Sequence, residues 1–501
     1  MTEPASQPPK VATGIPGLDS ILRGGFLKEM VYLVHGGPGT GKTTLGMQFL
    51  LEGVRQGEPV FYASLLQTRR ELEAIMGSHG WSLDGISLLD MPEGVSQSAA
   101  EEQTVFAPAD IELHELTDRI IEAVARLKPR RMVFDSITEL AVLVEHPSHL
   151  RRQMLKLKHE LASLGCTALF TINDTEAIDL ASIQTVVHGV LELGIDRPDY
   201  APPRRWLEVT KTRGMVYFGG RHNLQIRTGG LEVYPRLEPT NDRAPLQWRT
   251  VSSGNEALDA LFGGGLEEGS ACLVTGTTGA GKSTLASLYV QAAARRGEKA
   301  IVFCFDERRQ TYLRRSEALG LEIGRQVEQG LVDLRQVNVG ELSPGEFANR
   351  IRCAVEQWDA KIVVIDSING YFHAMPDQSK LLVQLHEILS YLGESGVLTL
   401  MVTALHGLAS VHTSDVDASY IADTVVLMRS FEARGSVRRC ISVLKKRHGP
   451  HEKTIREVML EQGGMRVGEP LTDFQGVLSG NPVFDGDSEQ LLNGNRDEPD
   501  A

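Results

Sequence analysis

The chain has little that would tie it to a disulfide framework, a membrane or a nucleic acid. Five cysteines occur in 501 residues (Cys166, Cys272, Cys304, Cys353, Cys440), odd in number, scattered and without CxxC spacing. That pattern predicts neither a disulfide scaffold nor a zinc site, and a reducing cytoplasm is the simplest setting. No stretch approaches the ~18 uninterrupted apolar residues of a membrane helix. The opening MTEPASQPPK lacks the apolar core of a signal peptide. Basic charge is in deficit, with 51 Lys plus Arg against 65 Asp plus Glu and a net charge of −14. Duplex binders carry a basic face, and single-strand binders interleave cations with aromatic residues. Neither pattern stands out, so nucleic acid is not the expected partner. What is present, 42% apolar and 23% charged residues, is an ordinary globular composition. At ~150 residues per domain the length allows two large domains or three smaller ones.

The chain repeats itself. GGPGTGKTT from Gly36 to Thr44 recurs as GTTGAGKST from Gly276 to Thr284, placing Lys42 and Lys282 240 residues apart. Upstream, TGIPGLDSILRGGF parallels SSGNEALDALFGGGL, with Asp19 and Asp259 again 240 apart. Downstream, RRMVFDSITEL parallels KIVVIDSINGY, and LEVTKTRG parallels ISVLKKRHG. Four ordered matches indicate a tandem duplication. The polar, proline-containing stretch 236–248 is the expected linker. The expected domains are 11–235 and 249–482, with residues 1–10 and the acidic tail 483–501 disordered. Within each half, short apolar β-branched runs alternate with helical patterns. They predict an α/β fold twice over, each domain a mainly parallel sheet flanked by helices.

GxxxxGK followed by Ser or Thr, between a strand and a helix, is the pattern of a phosphate-binding loop. In the first copy Gly36, Gly37, Gly39, Thr40 and Gly41 would turn backbone N–H groups around a polyphosphate. The helix beginning at Lys42, Thr43 and Thr44 adds its positive end. Lys42 would reach the β and γ phosphates, and Thr43 would offer its hydroxyl to Mg²⁺. Gly276, Thr277, Thr278, Gly279, Ala280, Gly281, Lys282, Ser283 and Thr284 would do the same in the second copy. Asp135 and Asp366 each end an apolar strand, where a carboxylate can hold Mg²⁺ beside the loop hydroxyl or merely cap the strand. The expected cofactors are therefore ATP and Mg²⁺.

Splitting ATP requires a group that orients the attacker. The expected place is the end of the strand taken to lie beside the phosphate-loop strand. In the second half that strand, AIVFCF, runs into Asp306-Glu307; in the first, PVFYASL runs into Leu66-Gln67-Thr68. An acidic pair can polarise water or take its proton, whereas Gln can only position it and Leu can do neither. The alternative for Asp306 and Glu307 is simple surface charge.

Together these segments resemble the RecA-like ATPases and, within them, the KaiC family of double-domain circadian clock proteins. The resemblance spans Thr13 to about Pro482 and includes both phosphate loops, both Asp-Ser strand ends, both Lys-x-Arg segments and the closing SGNP. It implies two RecA-like domains per chain and a two-tiered homo-hexamer with ATP between neighbours. Lys211, Arg213, Lys445 and Arg447 would then touch a neighbour's nucleotide; without the resemblance they read as charge pairs on an edge strand. Asp306 falls at the family's general-base position and Glu307 beside it, while Leu66 and Gln67 replace the paired glutamates of the N-terminal domain. The first half is therefore expected to bind ATP structurally and hydrolyse it weakly. The family's C-terminal serine autokinase puts Ser419 at an acceptor position and Tyr420 where threonine is expected; Ser419 otherwise reads as a loop serine. A KaiB-like or other signalling protein is the implied partner. The competing classes are a DNA-dependent ATPase of the RecA, RadA or DnaB kind and an ATP-assembled scaffold.

Overall fold

A computed structural model of the chain describes residues 9–65, 67–89, 108–142, 147–174, 179–197, 202–237, 249–338, 340, 342–373, 378–404, 418–433, 435–478 and 483–484. The chain divides into two compact units between Arg236 and Leu237. Leu66, the closing SGNP and most of the expected linker and tail lie outside the described residues. Two margins differ from expectation. Lys10 pairs with Leu27, and its ammonium caps the carbonyls of Leu22 and Arg23. Val483 and Phe484 pair with Gln475 and Phe474.

The first unit is built on β1 (Val31–Gly36), β2 (Val60–Ser64), β3 (Ile86–Leu89), β4 (Arg131–Asp135), β5 (Thr167–Asn173), β6 (Gly189–Asp196), β7 (Arg204–Thr212), β8 (Arg221–Arg227) and β9 (Gly230–Tyr234). They form one sheet in the order β9-β8-β7-β6-β1-β5-β4-β2-β3. The six strands from β6 to β3 run parallel, and β7, β8 and β9 extend the sheet antiparallel. The flanking helices are α1 (Lys42–Arg55), α2 (Arg69–Ser78), α3 (Pro108–Leu127), α4 (Pro147–Ser163) and α5 (Leu180–Val186). Alternation along β1 explains the layering. Tyr32 and Val34 join Leu45, Phe49 and Leu50 of α1 on one face, while Val31 and Leu33 meet Ile120 of α3 and Met154 and Leu157 of α4 on the other. Strands with both faces covered are largely apolar, as β1 is from Val31 to Val34.

The second unit repeats the plan. Its strands are β10 (Ala271–Gly276), β11 (Lys299–Cys304), β12 (Val332–Gln336), β13 (Ala360–Asp366), β14 (Leu398–Ala404), β15 (Thr424–Ala433), β16 (Ser436–Lys446), β17 (Arg456–Glu461) and β18 (Gly464–Pro470). Their order is β12-β11-β13-β14-β10-β15-β16-β17-β18, with α6 (Lys282–Arg295), α7 (Arg309–Ala318), α8 (Pro344–Glu356) and α9 (Gln378–Glu394) on the faces.

The structure corrects two expectations and refines a third. The strands PVFYASL (β2) and AIVFCF (β11) are not beside the phosphate-loop strands β1 and β10; each is separated from its loop strand by two others and neighbours the strand ending in Asp135 or Asp366. The Lys-x-Arg segments end β7 and β16, strands that are paired on both sides further along, whereas Lys211 and Lys445 themselves pair on one side, with Val190 and Val425. The run TVVHGVLEL predicts a strand from Thr185, but Thr185 and Val186 close α5, whose Asp179 caps the N–H of Ser182. The cap overrides the β-branched residues' preference.

Candidate functional site

At the C-terminal end of β1 the chain turns through Gly36 (φ 154°) into a loop that opens α1. A Cβ on Gly36 would lie 2.1 Å from the Leu193 carbonyl oxygen, and one on Gly276 would lie 1.7 Å from that of Met428. Only glycine permits these strands to pass so close while the loop bends. Lys42 and Lys282 are almost wholly buried and fold back over their loops. Lys42 Nζ donates to the carbonyls of Gly36 (2.7 Å) and Gly37 (2.8 Å), and Lys282 Nζ to those of Gly276 (2.9 Å) and Thr277 (2.7 Å). Burial lowers both pKa values, that of Lys282 to about 8, with Asp366 opposing; Asp135 and Asp174 oppose the shift at Lys42. A polyphosphate would restore the missing counter-charge.

The first cradle lines a cavity of about 320 Å³ that includes Gly39, Lys42, Thr43, Gln67, Asp135 and Asn173. Thr43 Oγ1 donates to Asp135 Oδ2 (2.7 Å), Tyr62 Oη to the same oxygen (2.7 Å), and Thr171 Oγ1 to Oδ1 (2.5 Å). Burial first, and the adjacent carboxylate second, hold the Tyr62 proton far above the usual phenol range, so Tyr62 is a donor. Gln67 is anchored through its N–H to Ser64 Oγ (2.9 Å) and lies 3.3 Å from Tyr62 Oη. Thr68, beside it, caps α2 in a reciprocal pair with Glu71.

In the second cradle Ser283 donates to Asp366, whose carboxyl burial raises against the opposing pull of Ser283 and Arg315. The chain after β11 keeps pairing, Phe305 N–H donating to the Asp366 carbonyl (2.7 Å). The Phe305 ring is seated edge-on against Phe347 and Tyr371. That anchor presents Asp306 to Ser367, whose hydroxyl donates to Asp306 Oδ2, and Glu307 to Arg315 of α7 (3.0 and 3.3 Å). The acid pair thus stands at the Asp366 end of the cradle. At the positions of Glu307 and Arg315, the first half carries Gln67 and Ile75.

A loop hydroxyl beside a carboxylate at a phosphate cradle fits Mg²⁺, which takes few protein ligands and completes its shell from phosphate and water. Among the described residues no group of three or more His, Cys, Asp or Glu is arranged to hold a metal ion.

The Lys-x-Arg cations lie elsewhere. Strand β6 aligns Leu193 with Gly36 but Val190 with Leu33, and Lys211 pairs with Val190. Lys211 therefore sits three residues below the level of its own loop, about 10 Å. Lys445 is placed in the same way below Gly276. Both staple carbonyls: Lys211 those of Gln184 and Val187, Arg213 that of Thr185, Lys445 those of Ser419 (3.0 Å) and Ala422 (2.7 Å), and Arg447 that of Tyr420 (2.6 Å). Ser419 and the exposed Tyr420 precede β15 at this same far end.

Three features escaped sequence reasoning. Arg205 Nε donates to the Gly39 carbonyl (3.0 Å) and Arg439 Nε to that of Gly279 (2.9 Å); the signal is an arginine pair ending six residues before each Lys-x-Arg lysine. Asp174, 3.2 Å from His35 Nδ1, adds a carboxylate near Lys42. The hydroxyls of Tyr62 and Thr171 on Asp135 carried no signal at all.

A family model described as "ATPase: KaiC" matches residues 11–238 and 251–472. The chain is 27% identical to circadian clock oscillator protein KaiC of Picosynechococcus sp., covering 95% of this chain and 92% of that protein. It is 28% identical to the KaiC of Prochlorococcus marinus (94% and 95% covered) and 27% identical to circadian clock protein KaiC3 of Synechocystis sp. (98% of both).

Proposed function

From a chain that belongs to the KaiC family of ATPases, with one family domain in each half, we infer a Mg²⁺-ATP-dependent hexameric ATPase whose two cradles divide the work. The C-terminal cradle hydrolyses ATP and carries serine autokinase activity; the N-terminal cradle holds ATP between subunits and hydrolyses it weakly. The assembly acts in timing or signalling, read by a KaiB-like or other signalling protein. The observation that carries this reading is the contrast at the second strand of each half. Asp306 and Glu307 stand against Ser367 and Arg315 beside Asp366, whereas Gln67 stands with Tyr62 beside Asp135.

The loop N–H groups and Lys282 bind and orient the phosphates, and Asp306 takes a proton from the attacking water or acceptor hydroxyl, with Glu307 held behind it by Arg315. Ser283 and Asp366 would hold Mg²⁺, which would supply neutralisation of phosphate charge. Lys445 and Arg447 sit too far from their own loop to serve it, which favours action on a neighbour's terminal phosphoryl. Ser419, at the same end, would be phosphorylated by the adjoining subunit. Two measurements test the reading. ATP turnover should collapse in Lys282→Ala and persist in Lys42→Ala; turnover that survives the first and is lost on adding the second overturns the division. Intact mass after incubation with Mg²⁺-ATP, with peptide mapping over 414–424, should gain ~80 Da on Ser419 or Tyr420. Turnover without that gain removes the kinase.

A further inference from the structure

The strand-end aspartates of the two halves are held differently. Asp135 receives three hydroxyls, from Thr43 and Tyr62 at 2.7 Å and from Thr171 at 2.5 Å. In the second half the matching register positions are Val302, opposite Val364 as Tyr62 is opposite Val133, and Val402, opposite Val274 as Thr171 is opposite Val34. Both valines are buried in the sheet, so Asp366 keeps the loop hydroxyl of Ser283 but gains neither of the other two.

Tyr62 is wholly buried and touches two groups of the cavity, Asp135 at 2.7 Å and Gln67 Oε1 at 3.3 Å. A phenol has a single proton. The shorter contact to a carboxylate claims it, because charge-assisted hydrogen bonds are about twice as strong as neutral ones. Tyr62 Oη is then left as an acceptor toward Gln67. The side-chain amide would satisfy that arrangement if it were turned to donate its NH₂ to Tyr62, the reverse of the placement that sets Oε1 beside Oη. In that orientation the Gln67 carbonyl oxygen would face the cavity, where it could hold a water molecule but not remove its proton.

We propose that Tyr62 is a positioning residue of the N-terminal cradle: its hydroxyl fixes the Asp135 carboxylate toward Thr43 and turns Gln67 to present its carbonyl oxygen to the space beside the terminal phosphoryl. Tyr62 thereby prepares the cradle to hold Mg²⁺-nucleotide, through Asp135, without supplying a base. The assignment rests on the reading of this cradle as a Mg²⁺-ATP site.

The test uses the full chain carrying Lys282→Ala, so that nucleotide binding reports the N-terminal cradle. The affinity of a fluorescent ATP analogue is measured with Mg²⁺ and again with excess EDTA. Adding Tyr62→Phe, which keeps the ring, should weaken binding on the order of tenfold with Mg²⁺, the worth of one hydrogen bond to a charged group. It should change the metal-free affinity by less than about twofold, because the nucleotide's own contacts are untouched. Equal weakening with and without metal would mean that Tyr62 only packs, and no weakening in either condition would mean that Asp135 needs no help; both results overturn the assignment. An unaltered Mg²⁺ response in Tyr62→Phe with full retention by the chain would leave the N-terminal cradle a nucleotide site and sink only the role of Tyr62. Absence of any Mg²⁺-dependent binding before Tyr62 is changed overturns the cradle reading and this assignment with it.

Discussion

The two halves share a sheet order, a buried lysine folded over its loop, and a hydroxyl against a strand-end aspartate. They part where the second strand ends. The C-terminal half has an aromatic anchor, two carboxylates and an arginine there; the N-terminal half has a glutamine, an isoleucine and a tyrosine hydroxyl. The lesson is that the exchange is concerted. An acid without Arg315 would be an unpaired charge, and Arg315 without the acid would be equally exposed to that cost. Each half therefore changes the pair and keeps the scaffold.

The sharpest way to break the comparison is to silence one cradle at a time. Lys282→Ala should lower ATP turnover by about a hundredfold or more, as loss of a preorganised charge at a phosphoryl group does, while Lys42→Ala should leave most of it. Comparable losses from both would erase the proposed division. Next in size, Asp306→Asn should cost roughly a hundredfold in steady-state turnover without weakening ATP binding. The converse graft of Gln67→Glu with Ile75→Arg, in the Lys282→Ala chain, should raise N-terminal turnover about tenfold, and Gln67→Glu alone should do less. Asp174 is the rival acid of that cradle. If Asp174→Asn abolishes whatever turnover Lys282→Ala retains, the N-terminal site has its own base and the contrast narrows.

A smaller effect comes from pH. Lys282 is cationic below its pKa of about 8 and neutral above it, and a phosphate needs the cation. Nucleotide affinity of the C-terminal cradle should therefore fall by up to about tenfold for each pH unit above 8, with proton uptake on binding that calorimetry in buffers of different ionisation heat can read. The smallest expected change is in Arg205→Ala and Arg439→Ala, each removing one hydrogen bond to a loop carbonyl. Each should weaken ATP binding by only about twofold to fivefold, and equally in both halves, because this contact is common to them.

Much of the fold was legible. Loops that must wrap a phosphate, and strands buried on both faces, constrain residue types strongly enough that both cradles and the duplicated α/β plan follow from residues such as Gly36, Lys42, Val31 and Leu33. Strand order was not legible, because parallel strands joined by helices can be laid down in several orders with the same apolar pattern. That is why β11 was taken to neighbour β10 when it neighbours β13. The hydroxyl clasp on Asp135 was hidden for a related reason. Tyr62 and Thr171 are good strand residues whatever they touch, so only the register of β2, β4 and β5 reveals what they face. Arg205 and Arg439 were readable in principle from their shared spacing to the lysines at 211 and 445.

The displacement of Lys211 and Lys445 from their own loops has a consequence for mixtures of chains. If these cations act only on an adjoining copy, as in the proposed ring, each subunit gives at one face and receives at the other, and the assembly has a direction. Chains carrying Lys282→Ala and chains carrying Lys445→Ala would then each be inactive alone. Blended, they would regain intact junctions wherever a sound loop meets a sound cation, whereas cations acting within their own chain would give no rescue.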